Sequence, residues 1–128
     1  MAKAETRMEE IEKEITAEID GRRYLLRYWA LNYGTHVGST IKILNAGESA
    51  PIAELSFETH WNAAGRYILR IGAAKGEDSA LLSRAGANVL KAYTDIFAPA
   101  QSLADVFACI RAKANALLWA AGAALAVG

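Results

Sequence analysis

Glu14-Ile15-Thr16-Ala17-Glu18-Ile19-Asp20-Gly21-Arg22-Arg23-Tyr24-Leu25-Leu26-Arg27 is the stretch that decides the fold. Asp20-Gly21, at its centre, is a dipeptide favoured in two-residue hairpin turns. Folding the chain back there sets Glu18 opposite Arg23 and Glu14 opposite Arg27, with Ala17 facing Tyr24 and Ile15 facing Leu26. One face is charge-matched and the other apolar, so the stretch reads as two antiparallel strands, the first over about residues 14–19. For residues 13–20 the spacing also permits a helix that continues to Ile19 with Gly21 as its C-terminal cap.

Upstream, Ala4, Met8, Ile11 and Ile15 recur at helical spacing, which predicts a short amphipathic helix over about residues 3–12. Downstream, alternation continues through four strands. Tyr24, Leu26, Tyr28 and Ala30 alternate with charged or larger neighbours until Asn32-Tyr33-Gly34, and Val37, Ser39, Ile41 and Ile43 do so until Asn45-Ala46-Gly47. Ala53, Leu55, Phe57, Thr59 and Trp61 form the apolar set of the next segment. Asn62-Ala63-Ala64-Gly65 turns the chain into Arg66 to Ile71, where Tyr67, Leu69 and Ile71 are apolar. A loop over residues 62–66 would set Trp61 opposite Tyr67, Thr59 opposite Leu69, Phe57 opposite Ile71 and, on the other face, Glu58 opposite Arg70. Short connections favour an antiparallel meander of five strands.

The cover for one sheet face comes from the C-terminal half. Asp78 or Ser79 caps a helix with the stripe Leu81, Leu82, Ala85, Val89, Tyr93 and Ile96, which Pro99 stops. Ser102 with Asp105 makes a capping-box-like start for a second helix, with Leu103, Val106, Phe107, Ile110, Leu117, Leu118 and Leu125 inward. That helix changes character at Lys113, beyond which it is apolar nearly all round. Such a helix is buried on more than one side, either in a contact between copies along Leu117 to Val127 or inserted between the sheet and the first helix. The expected class is therefore α+β in one domain, residues 1–128: an N-terminal helix, a five-stranded antiparallel meander and two C-terminal helices packed on one sheet face.

Composition bounds the function. The chain has 128 residues, 14 basic and 14 acidic, for a formal net charge of zero. Residues 1–20 hold seven acids against three bases, which leaves eleven bases against seven acids in the remainder. A neutral chain lacks the global field of a non-specific nucleic-acid binder. The single Cys109 excludes an intramolecular disulfide and a multi-cysteine zinc site. The Met-Ala-Lys-Ala-Glu start has no apolar segment of export type, and the uncharged run Ala114 to Gly128 is shorter than a membrane span. A soluble, cytoplasmic protein is the expectation.

No motif specifies a chemistry. Glu58 and His60 project from one face of a strand with Arg70 across from them, the nearest approach to a catalytic set, but a charge-paired solvated face gives the same pattern. His36 and His60 with Glu54 and Glu58 match no metal-ligand spacing, so neither metal nor cofactor is expected. Arg23, Arg27, Trp29, Lys42 and Arg70 share the open face in the manner of a single-strand platform, yet Glu14, Glu18, Glu54 and Glu58 share it too and cancel the field, so nucleic acid is not the expected partner. Arginine and tryptophan among carboxylates suit protein recognition.

The leading reading is a non-enzymatic interaction protein of inhibitor or adaptor type, like those of phage and microbial conflict systems. It acts as a homo-oligomer through its C-terminal helix, with Leu117 and Leu118 in that interface, and meets another protein through Arg23, Arg27, Trp29 and Glu58. The alternative is a small-ligand binder with a pocket between sheet and helices lined by Tyr24, Tyr28, Phe57, Trp61 and Tyr67. A hydrolase-like enzyme using Glu58 and His60 is the third.

Overall fold

Alternating apolar residues need a second layer to cover them, and in this chain two helices supply it. A computed structural model describes residues 9–126. The chain runs β1 (Glu9–Ile19), β2 (Arg22–Asn32), β3 (His36–Asn45), β4 (Ala53–Trp61), β5 (Tyr67–Lys75), α1 (Ser79–Ile96) and α2 (Leu103–Ala123). The five strands form one antiparallel sheet in sequential order. α2 packs over β1, β2 and β3, and α1 over β4 and β5.

The first hairpin has the expected register, with Glu14 across from Arg27 and Ala17 across from Tyr24. Its turn has Asp20 at φ 52° and Gly21 at φ 79°, the two positive values of a type I′ turn whose twist matches the strands it joins. The fourth connection also closes as the sequence reads, with Trp61 opposite Tyr67, Phe57 opposite Ile71 and Glu58 opposite Arg70.

The N-terminal helix needs correcting. β1 already begins at Glu9, so residues 9–12 are strand, and the rest of the expected helix, residues 3–8, lies outside the described residues. Ile11 and Ile15 mimic helical spacing because the inward position between them is Lys13, an exposed residue on an edge strand. β5 also runs further than the alternation suggested, to Lys75. The pairing of β4 with β5 shifts between Ser56 and Phe57, where Phe57 faces Ile71 but Ser56 faces Ala73, leaving Gly72 as the extra residue of a bulge.

Each helix starts on a side-chain cap. Asp78 Oδ1 accepts from the Leu81 amide at 3.0 Å, and Ser102 Oγ accepts from the Asp105 amide at 3.1 Å; such caps contribute about 1 kcal/mol each. The inward stripe of α1 is Leu81, Ala85, Gly86, Val89, Tyr93 and Ile96. α2 carries non-helical dihedrals at Lys113, where its sequence turns from amphipathic to apolar. Beyond that kink it packs against both the sheet and its neighbour α1: Leu117, Leu118 and Ala121 are wholly buried, and a Cβ on Gly122 would stand 3.0 Å from Leu26 Cδ1. Arg84 Nε donates to the Ala124 carbonyl and Asn88 Nδ2 to that of Ala120, tying the two helices together. Leu117 and Leu118, expected at a contact between copies, are thus spent on the chain's own core. None of the helices in the described residues is long and apolar enough to cross a membrane.

Candidate functional site: the open face of the sheet

Strand periodicity sends every second residue away from the helices, and those residues build the face on which the sequence-predicted candidates meet. Arg23, Arg27 and Trp29 on β2, Glu58 and His60 on β4 and Arg70 on β5 all project there. Leu117 and Leu118 do not.

The face is organised in rows that cross the sheet. One row reads Glu14, Arg27, Lys42, Glu54, Lys75, and another reads Glu10, Leu31, Gly38, Glu58, Arg70. Carboxylates are held at close range both within a row and diagonally between rows. Arg27 Nε lies 2.7 Å from Glu14 Oε2, Trp29 Nε1 donates to Glu10 Oε2 at 2.5 Å, and Arg70 Nη2 lies 3.2 Å from Glu58 Oε1. Glu18 faces Arg23 in the ladder as expected. Between the rows, Glu12, Glu14, Arg27, Trp29, Thr40 and Lys42 line an open hollow of about 570 Å³.

At the end of the face nearest the β2–β3 turn lies an arrangement that the sequence reading missed. His36 is the ladder partner of His60, and their rings stack at 5.0 Å between centroids, 13° from parallel. Tyr33 stacks on the far side of His36 at 4.7 Å. Its ring occupies the space above Gly38, where a Cβ would stand 3.1 Å from Tyr33 Cε2. Ile68, the partner of His60 on β5, is half exposed, and Tyr33 is 41 % exposed. An apolar and aromatic patch therefore borders the charged rows. The signal was available: setting Ile43 opposite Ala53 across the 46–52 loop places His36 opposite His60.

Glu58 is the best-defined ionisable group here. His60 Nε2 stands 3.2 Å from its Oε1, and that hydrogen bond, followed by the one from Arg70, holds the carboxyl below its ordinary range. Ser56 shares the face but sits with Thr40, their hydroxyls 3.3 Å apart, and Glu58 stands between it and His60 along the strand. The imidazole thus meets a carboxylate rather than a hydroxyl it would activate. Ser56 and His60 are not paired as a nucleophile with its base.

The residues expected to line a ligand pocket lie on the opposite face. Tyr24, Tyr28 and Phe57 are buried in the core, and Trp61 and Tyr67 pack against it. Tyr28 instead belongs to a buried hydroxyl chain. Its Oη lies 2.9 Å from Tyr93 Oη, which in turn lies 2.5 Å from Ser39 Oγ. Burial, foremost, pushes Tyr93 up to about 12 and Tyr28 well above the ordinary phenol value. Cys109 is half-buried beside a second hollow between the end of α1 and the kink of α2. Burial first, then the nearby Asp105 carboxylate, raises its thiol, so it is a poor nucleophile. Among the described residues there is no cluster of three or more metal-ligating side chains. No protein family, no curated protein and no solved structure matches the chain, so a functional reading rests on the geometry of the open face.

Proposed function

We propose that the chain is a protein-interaction module of inhibitor or adaptor type that binds another protein through the open face of its sheet. The observation that carries this reading is the company on that face: Arg27 and Trp29, each anchored by a carboxylate, lie on the same surface as the exposed Tyr33 and Ile68. Tyrosine, tryptophan and arginine dominate the energetics of protein interfaces. Side chains held by carboxylates on the adjacent strand also lose little rotamer entropy on binding, which lowers the cost of association. The mixture of signs favours a partner with its own mixed surface over a polyanion.

Replacing Arg27 and Trp29 together by alanine tests this. The chain is immobilised, its partner is captured from the source cell's lysate, identified by mass and purified, and the two proteins are then titrated directly. The double variant is expected to weaken that binding by roughly 30-fold or more, the loss of at least one hot spot, with its thermal midpoint within a few degrees of wild type. Unchanged affinity would remove the open face as the interface.

A further inference from the structure

Among the described residues the sheet is open at both sides, and its two edges carry opposite charge. β1 holds Glu9, Glu10, Glu12, Glu14 and Glu18 against Lys13 alone, whereas Arg66 to Lys75 contains Arg66, Arg70 and Lys75 and no acid. Both strands are terminal in the sheet of the described residues, so each presents a row of unpaired backbone donors and acceptors. We propose that copies of this chain associate head to tail, the β1 edge of one pairing with the β5 edge of the next. This inference concerns the sheet's edges and stands independently of what its face binds.

Direction and spacing both fit. In an antiparallel meander β1 and β5 run the same way, so a neighbour added with its helices on the same side presents β1 parallel to β5. The row that begins at Glu10 ends at Arg70, and the row that begins at Glu14 ends at Lys75. Continuing those rows into the next copy sets Arg70 beside the neighbour's Glu10 position and Lys75 beside its Glu14 position. The bulge at Gly72 is what makes this match. Five residues separate Arg70 from Lys75, which would put them on opposite faces of a regular strand, but their partners Glu58 and Glu54 share one face. Trp29 and Arg27 already hold Glu10 and Glu14 through their Oε2 atoms, and a carboxylate accepts through both oxygens.

The helix side agrees with the same register. Ile71, 39 % exposed on β5, falls beside the buried Ile11 of the neighbour. Lys13 points to the helix side of β1, a device that discourages indiscriminate edge pairing, and here it falls beside Ala74, which is small enough to leave it room. Two-fold pairing through either edge is disfavoured, since β1 against β1 aligns acids and β5 against β5 aligns bases. What remains is a heterologous contact, which extends as a chain or closes as a ring.

Light scattering over a concentration series decides it. The wild type is expected to exceed its 13.8 kDa monomer mass increasingly between roughly 10 and 500 µM, with association about tenfold weaker at high than at low salt because the contact charges are exposed. Arg70→Glu with Lys75→Glu kills the basic edge, and Glu10→Lys with Glu14→Lys kills the acidic one. Each double variant alone is expected to be monomeric, and an equimolar mixture is expected to associate again, because the unaltered edge of each fits the other's and the two reversed edges carry opposite charges. A wild type that stays monomeric throughout overturns the proposal. So does a double variant that associates as strongly as wild type, or a mixture of folded variants that does not pair. Should the acidic-edge variant fail to fold, an excess of the basic-edge variant added to wild type is expected to cap its chains and lower the average mass toward two chains; an unchanged mass overturns the proposal equally.

Discussion

Tyr93 links three elements through one oxygen. Its hydroxyl bonds Tyr28 on β2 and Ser39 on β3, while its ring packs edge-on against Phe57 and tilted against Phe97, at 5.3 and 5.2 Å. Tyr93→Phe keeps the ring and removes the oxygen, leaving two buried hydroxyls short of a partner. The expected cost is about 1–3 kcal/mol, read as a fall in thermal midpoint of several degrees, and an unchanged midpoint would mean the chain of hydroxyls contributes nothing. The same group sets a limit at high pH. Its folded-state value lies near 12, above the ordinary 10.0, so its contribution to stability is complete below about pH 10 and is lost as the pH climbs through about 12. The share of tyrosinate absorbance that Tyr28 and Tyr93 contribute is expected to appear in one cooperative step with unfolding above pH 10, and its appearance in a still-folded chain would contradict this. None of this was legible beforehand. Tyr28, Ser39 and Tyr93 each alternate or repeat as core positions should, but nothing local says that hydroxyls 54 and 65 residues apart will meet.

At the scale of elements, glycine turns separate what local sequence encodes from what the tertiary fold imposes. Gly21 and Gly76 both have positive φ, 79° and 156°. A Cβ on Gly21 meets nothing within 4 Å, whereas on Gly76 it would lie 2.7 Å from the Ile52 carbonyl oxygen, a backbone atom that cannot swing aside. Gly21→Ala is therefore expected to cost about 1 kcal/mol of backbone strain. Gly76→Ala is expected to cost distinctly more, because the junction of β5 and α1 must move; equal midpoints in denaturant melts would refute the distinction. The hairpin turn was readable because Asp20-Gly21 and its flanking charge pairs lie within one contiguous stretch. The β5 end was not, because the Gly72 bulge followed by Ala73 and Ala74 erases the alternation that marks a strand. The β1 start failed for a related reason: Lys13 takes an inward position at an edge where its amine still reaches water, so Ile11 and Ile15 looked helical. On the open face the single residues Arg27, Trp29, Glu58 and Arg70 were legible from parity, while the stack of Tyr33, His36 and His60 needed the β3–β4 register.

For the whole molecule, the placement of α2 determines which surfaces are left for partners. An apolar helix at the end of a chain can be buried by a second copy or by its own fold, and its sequence is the same in both cases. Here the kink at Lys113 lets the second half of α2 turn its apolar side inward, so that Leu118 is 0 % exposed while its neighbour Trp119 is 54 % exposed. The outward surfaces are then the open sheet face, the two charged edges and the backs of the helices. Leu118→Glu distinguishes the two fates of the helix. If the side chain is enclosed by the sheet and α1, the new carboxylate must be buried without a partner or be protonated, which costs several kcal/mol, a large share of the roughly 5–15 kcal/mol that holds a domain together. The variant is expected to lose its cooperative thermal transition or melt far below wild type at every protein concentration. Trp119→Glu, one residue along and facing water, is expected to melt within a few degrees of wild type. If Leu118 instead lay on a contact between copies, the variant would keep its fold and lose only particle mass, and the dilution dependence of the wild-type midpoint would disappear with it.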